Sequence, residues 1–127
     1  MNIEELRDYC LSVKGSTEST PFRYDYIVAF KVMDKMFAFF SLEPKDGQFF
    51  VCLKCNPEQS VDLRERYGGI TQTMYKTMLW NAVYLESDVP DALIRELVDH
   101  SVEEVIRRLP KSSREEYRQS TFRYTDE

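Results

Sequence analysis

The residues with the strongest claim to chemistry are Cys52-Leu53-Lys54-Cys55, a C-x-x-C pair, and His100, the single histidine. A redox couple or a zinc site would need both thiols to converge. Positions three apart on a strand point to opposite faces, so the two cysteines converge only if the chain bends at Cys55. Cys10 and His100 are the only other soft ligands, and no second C-x-x-C exists to complete a four-ligand zinc site. His100 lies between Asp99 and Ser101, yet no Ser or Cys nucleophile motif accompanies it. The geometry-first test for a general base favours a helix-surface or helix–sheet boundary role. The four glycines form neither G-x-G-x-x-G nor G-x-x-x-x-G-K. These readings predict a protein that is not an enzyme and holds no metal and no cofactor.

Binding is the remaining chemistry. Lys31, Lys35, Lys54 and Lys76 fall on or beside expected strands, interleaved with Phe37, Phe39, Phe50, Tyr75 and Trp80. Such a surface can track a phosphate backbone and stack bases. The competing reading makes the aromatics core and lets the lysines blunt sheet edges. The candidate nucleic-acid site is therefore Lys31, Lys35, Lys54 and Lys76, with Trp80 and Asn81 beside them. Trp80 also reads as a packing residue, and Asn81 as a partner for a neighbouring backbone group. Both strand faces carry aromatics, so the sequence leaves the register open.

The elements that must position these residues follow from capping and periodicity. Asn2 and Glu5 have capping-box spacing, Ile3, Leu6, Cys10 and Val13 form one apolar stripe, and Gly15 suits the left-handed position past the end. Tyr26–Met33, Met36–Leu42 and Phe49–Lys54 read as strands, with turns at Asp34-Lys35 and at Pro44, Asp46 and Gly47. Asn56-Pro57-Glu58-Gln59 opens a second helix that ends at Gly68-Gly69. Extended segments follow near Ile70–Tyr75 and Trp80–Leu85. The last helix opens with Asp88 and Asp91 at capping-box-like spacing, Pro90 being tolerated in the first turn, and carries the stripe Ile94, Leu97, Val98, Val102, Val105, Ile106 and Leu109. Asp91–Arg95, Glu103–Arg107 and Glu104–Arg108 have the favourable i,i+4 order. The order α-β-β-β-α-β-β-α predicts a two-layer α+β domain over residues 1–111: an antiparallel five-stranded sheet with helices on one face. Residues 112–127 read as a C-terminal extension, a short helix about Ser112 to Arg118 and then a flexible tail.

The 127 residues, 43% hydrophobic and 31% charged, with eight Phe and eight Tyr, suit one folded domain. No apolar run approaches the roughly 20 residues of a membrane helix. The acidic N-terminus lacks the basic start and apolar run of a signal peptide, so cytoplasm is the expected location and a membrane is not an expected partner. Formal charge is −5. Only the middle of the chain, residues 21–80 with eight basic and seven acidic side chains, is marginally basic. Phosphate-driven binding usually shows a basic surplus, so charge alone predicts weak DNA binding or none. The alternative partner is a protein, or a second copy of the chain, on an open apolar sheet face, unless Phe122 and Tyr124 cover it.

Several pieces, in order, resemble the MmcQ/YjbR family from about Asn2 to Lys111. They are Leu6-Arg7-Asp8-Tyr9-Cys10-Leu11-Ser12, Pro21-Phe22, Phe30-Lys31-Val32, Lys35-Met36-Phe37-Ala38 and Leu53-Lys54-Cys55-Asn56-Pro57-Glu58. Trp80-Asn81-Ala82-Val83, Val89-Pro90-Asp91, Asp99-His100-Ser101 and Leu109-Pro110-Lys111 complete the set. The resemblance implies DNA binding, a fold like type III secretion chaperones, and no enzymatic activity. The chain departs where the family carries Lys and His before the Trp, since those positions hold Thr77 and Leu79. Lys76 stands one residue early, which on a strand reverses the face. The Gly expected after Pro-Phe is Arg23.

Overall fold

The computed structural model describes residues 1–20, 25–73 and 79–125, with the backbone alone for 121–125. The element order is α1 (Ile3–Ser12), β1 (Thr17–Ser19), β2 (Ile27–Val32), β3 (Lys35–Ser41), β4 (Phe50–Lys54), α2 (Pro57–Arg66), β5 (Ile70–Gln72), β6 (Trp80–Tyr84), α3 (Asp91–Arg107) and α4 (Lys111–Thr125). The strands form one sheet in the order β1-β2-β3-β4-β6-β5, and every neighbouring pair is antiparallel. The α+β class and the antiparallel sheet agree with expectation. The sheet has six strands rather than five because the short β1 adds to β2 through Thr17↔Lys31 and Ser19↔Ala29.

Local signals explain the starts of α1 and α2. Asn2 Oδ1 accepts from the Glu5 N–H at 2.8 Å, and Glu5 accepts in return from the Asn2 N–H, so the α1 capping box is complete. Gly15 adopts a φ of 74°, three residues beyond the last helical position. Asn56 caps α2 by accepting from the Gln59 N–H at 2.8 Å. Here the box is not reciprocal, because the Asn56 N–H points to His100 Nε2 at 3.5 Å while Gln59 accepts from the Asn56 side chain.

Three expectations are corrected. The β2–β3 turn is Met33-Asp34, with φ of 49° and 66°, and Lys35 already pairs with Val32. Two positive φ values suit a two-residue primed turn, which matches strand twist. The shift arises because β3 carries one extra residue, Phe37: the register passes from Phe30↔Ala38 to Lys31↔Met36 across a bulge. The second correction concerns Asp88, which does not cap α3; its carboxylate accepts the Gly68 and Gly69 N–H groups, each at 2.8 Å, and Pro90 holds the N-cap position. A Cβ on Gly69 would lie 2.1 Å from Ser87 Oγ, so only glycine fits beside this loop. Thirdly, the ion pairs of α3 differ from the i,i+4 set: Glu104 holds Arg107 at 3.0 Å, and Asp91 holds the N-terminal ammonium at 2.8 Å. The segment Ser112 to Arg118, read as a short helix, lies inside α4, which runs on to Thr125.

The core forms between one sheet face and the helices. Val28, Phe30, Val32, Phe37, Phe40, Val51, Leu53, Val83 and Leu85 from the sheet meet Leu6 and Cys10 of α1 and the stripe Ile94, Leu97, Val98, Val102, Val105 and Ile106 of α3. Tyr117 anchors α4, donating to the Lys14 carbonyl at 2.7 Å. The bulge at Phe37 would orphan backbone groups between β3 and β4. Ser101, fully buried on α3, fills that gap: its hydroxyl donates to the Phe37 carbonyl at 2.5 Å and accepts from the Lys54 N–H at 2.9 Å. Removing the hydroxyl would leave a buried donor and a buried acceptor unmet. Ser101→Ala is therefore expected to destabilise the protein by roughly 2–3 kcal/mol in urea unfolding, while the exposed Ser112→Ala stays within about 0.5 kcal/mol. A Ser101→Ala midpoint equal to that of Ser112→Ala would contradict the bridge.

Candidate functional site

The face of the sheet away from the helices collects three of the six candidate residues, Lys31, Lys54 and Trp80. Strand alternation places Ala29 and Lys31 of β2, Phe39 of β3, Phe50, Cys52 and Lys54 of β4, and Trp80, Ala82 and Tyr84 of β6 on it, opposite the core side chains. Lys54 is directly paired with Trp80, and Lys31 with Met36, at the same end of the sheet. Two strand spacings separate Lys31 from Lys54, about 10 Å. Lys35 stands exposed at the β2–β3 corner of that end. Trp80 packs its ring 5.3 Å from that of Phe39 and is only 3% exposed, so it acts as a support beneath the lysines rather than as an exposed stacking platform. Lys76 and Thr77 lie outside the described residues. Leu79 is described, and its carbonyl accepts the Cys55 N–H at 2.8 Å.

Asn81 belongs to the other face. It is 2% exposed; its Oδ1 accepts from Arg64 Nε at 2.9 Å, and its Nδ2 donates to Ser60 Oγ at 3.2 Å. It fastens α2 to β6 and is separated from the open face by the sheet itself. The neighbouring motif Asp99-His100-Ser101 works the same way. Asp99 accepts from the Tyr9 hydroxyl of α1 at 2.8 Å, His100 faces the start of α2, and Ser101 enters the sheet. Three consecutive residues of α3 thus tie it to three different elements, and His100 sits at a helix–helix boundary.

The face is electrostatically distinct. The strands carry three lysines, Lys31, Lys35 and Lys54, and one carboxylate, Glu18. Glu18 pairs with Phe30 in register and is held by Arg7 of α1 at 2.5 Å, on the helix side. Arg7 keeps the Glu18 carboxyl below its ordinary value. Helices α1, α2 and α3 instead carry eleven acidic and five basic side chains. The acidic side chains of these helices therefore lie on the layer opposite Lys31 and Lys54.

At the other end of the same face lies a concavity of about 270 Å³. Phe39, Phe50 and Tyr84 wall it, Cys52 and Ala82 floor it, Thr71 of β5 and Thr73 just past that strand border it, and Lys45 stands at its rim. Sequence reasoning did not single out Lys45. Its position depends on the Asp46-Gly47 turn, with φ of 52° and 76°, which pairs Lys45 with Gln48. The cysteines do diverge: Cys52 lies on the open face, while Cys55 sits beside Ser60 on the α2 side.

A sequence model of the YjbR family matches residues 11–103. The uncharacterised YjbR proteins of Escherichia coli K12 and of Escherichia coli O157:H7 are each 30% identical to the chain over 115 residues, covering 90% of it and 95% of the relative. The crystal structure of Deinococcus radiodurans protein DR2400, with a DUF419 domain, superposes with a TM-score of 0.81 at 28% identity, over 91% of this chain and 87% of that one. A structure from Pseudomonas syringae shares the fold with a TM-score of 0.68 at 21% identity, over 80% of this chain and 96% of that one. The protein is thus a two-layer α+β domain of the kind these structures share. It belongs to the YjbR family, as the ordered residue pieces implied.

The thiols give a pH prediction. Burial pushes Cys10 and Cys52 from 9.0 up to about 12. Folding suppresses their ionisation, so the stability they contribute is fully present below pH 9 and is lost as pH rises toward 12. Unfolding free energy measured in urea should fall above pH 9, by at most about 1.4 kcal/mol per pH unit per thiol. The decline should be shallower in a Cys10→Ala, Cys52→Ala double variant. An identical decline in both proteins would show that other groups govern it.

Proposed function

We propose that this protein is a non-enzymatic, cytoplasmic module that binds nucleic acid through the open sheet face, without metal or cofactor. The observation that carries the reading is the charge division: Lys31 and Lys54 share a face on which the strands present no carboxylate among the described residues, while Lys35, paired with the core residue Val32, stands at its corner. Lys31 and Lys54, with Lys35 at the corner, supply the phosphate contacts. Trp80 and Phe39 form the apolar bed that holds Lys54 and its strand in place. Few phosphate contacts and a net charge of −5 make the binding weak and salt-sensitive. The acidic helices face away, and at physiological ionic strength repulsion fades beyond about 8 Å. No helix among the described residues is long and apolar enough to cross a membrane, which suits this reading. Family membership supports it through the DNA binding that the resemblance implies.

Fluorescence anisotropy of labelled single- and double-stranded DNA at several salt concentrations tests the proposal. Three contacts predict a log–log salt slope of about −2 to −3. Lys31→Ala and Lys54→Ala should each reduce that slope by about one unit and weaken binding alike on all sequences. Asn81→Ala should act on stability instead, since its partners are Arg64 and Ser60. A flat anisotropy trace together with dimer sedimentation would replace this reading with a protein-interaction module on the same face.

A further inference from the structure

The concavity at the far end of the open face is a built feature, independent of the lysine row. Two adjacent strands place small side chains, Cys52 and Ala82, directly opposite each other. Around them stand Phe39 and the pair Phe50 and Tyr84, whose rings lie 5.2 Å apart. Small residues at the centre and rings at the margin leave the 270 Å³ hollow. At about 30 Å³ for each water-sized group, it has room for roughly nine heavy atoms. Its lining is mostly apolar, and Lys45 is the only charged side chain among the described residues that line it. Lys45 belongs to none of the ion pairs among the described residues. The primed Asp46-Gly47 turn and the paired Lys45–Gln48 backbone, with N–H···O distances of 2.8 and 2.9 Å, fix where its Cα stands.

We infer that this hollow is a small-molecule site for an aromatic carboxylate, its ring held over Cys52 and Ala82 between Phe39, Phe50 and Tyr84, and its anionic group turned toward Lys45. Ring walls favour a flat aromatic body through tilted and offset contacts. An apolar pocket with one placed charge is the ordinary design of a small-ligand site. Lys45 at the rim favours an anion over an amine. The site does not require the nucleic-acid reading, because neither Lys31 nor Lys54 lines it.

Trp80 is the sole tryptophan and contacts Phe39, which walls the hollow, so its emission reports occupancy. Phenylpropionate, phenylpropylamine and phenylpropanol are titrated in turn into the full chain. The carboxylate should give a saturable change and bind at least about tenfold tighter than the amine, the scale of one charge-assisted contact. Lys45→Gln should bring the carboxylate down to the affinity of the alcohol while leaving the alcohol unchanged. Ala82→Leu, checked by circular dichroism, should abolish binding of all three by filling the floor. If Ala82→Leu does not fold, the Lys45→Gln comparison decides alone. Equal affinity for amine and carboxylate, no saturable change with the carboxylate, or unaltered binding by Lys45→Gln would each overturn the inference.

Discussion

The Ser101 hydroxyl stands where a backbone ladder bond would otherwise be. The extra residue at Phe37 prevents β3 and β4 from closing their ladder at that end, and a helix side chain completes it. A buried unmet carbonyl or N–H is costly, so this contact is a constraint on helix placement as much as a bond. It pins α3 over the centre of the sheet. Asp99 then meets Tyr9, and His100 meets the start of α2. The helix layer is assembled around one short stretch of α3.

Among the described residues, this arrangement places the helices of known packing on one face, while the other carries Lys31, Lys54, Phe39 and the hollow beside Lys45. Two consequences follow. Polar residues that look available for binding, such as Asn81, are consumed in holding α2 to the sheet. The acidic side chains of α1 to α3 sit on the far layer, which lets a chain of net charge −5 keep a sheet face of opposite sign. Net charge alone is thus a poor guide to what such a layered domain binds, because a sheet a single residue layer thick separates the two fields.

What could be read from residues alone was local. The α1 capping box depends on Asn2 and Glu5 within one turn, and the α3 stripe on its own periodicity, so both were legible. Asp88 was misread because a nonlocal demand, the two N–H groups of Gly68 and Gly69, outcompeted the helix it precedes. Strand β1 has three residues and no apolar alternation; only its pairing with β2 makes it a strand. The turn at Met33-Asp34 was displaced by one because a bulge absorbs a residue without leaving a compositional trace. The same parity problem put Asn81 among the candidate contacts and left Lys45, set by a hairpin tip, unnoticed. Lys31, Lys35 and Lys54 were found because lysine on a β-rich segment is visible in composition, whichever face it takes.

The central claim is that one face of the sheet holds the helices and the other meets the ligand. Amide chemical-shift mapping during titration with a short oligonucleotide tests it most directly. The account predicts shifts confined to the end of the open face, at Thr17, Lys31, Lys35 and Lys54, with α3 residues Asp99 to Ser101 unmoved. Shifts concentrated on α2 and α3, or none at saturating oligonucleotide in low salt, would contradict it.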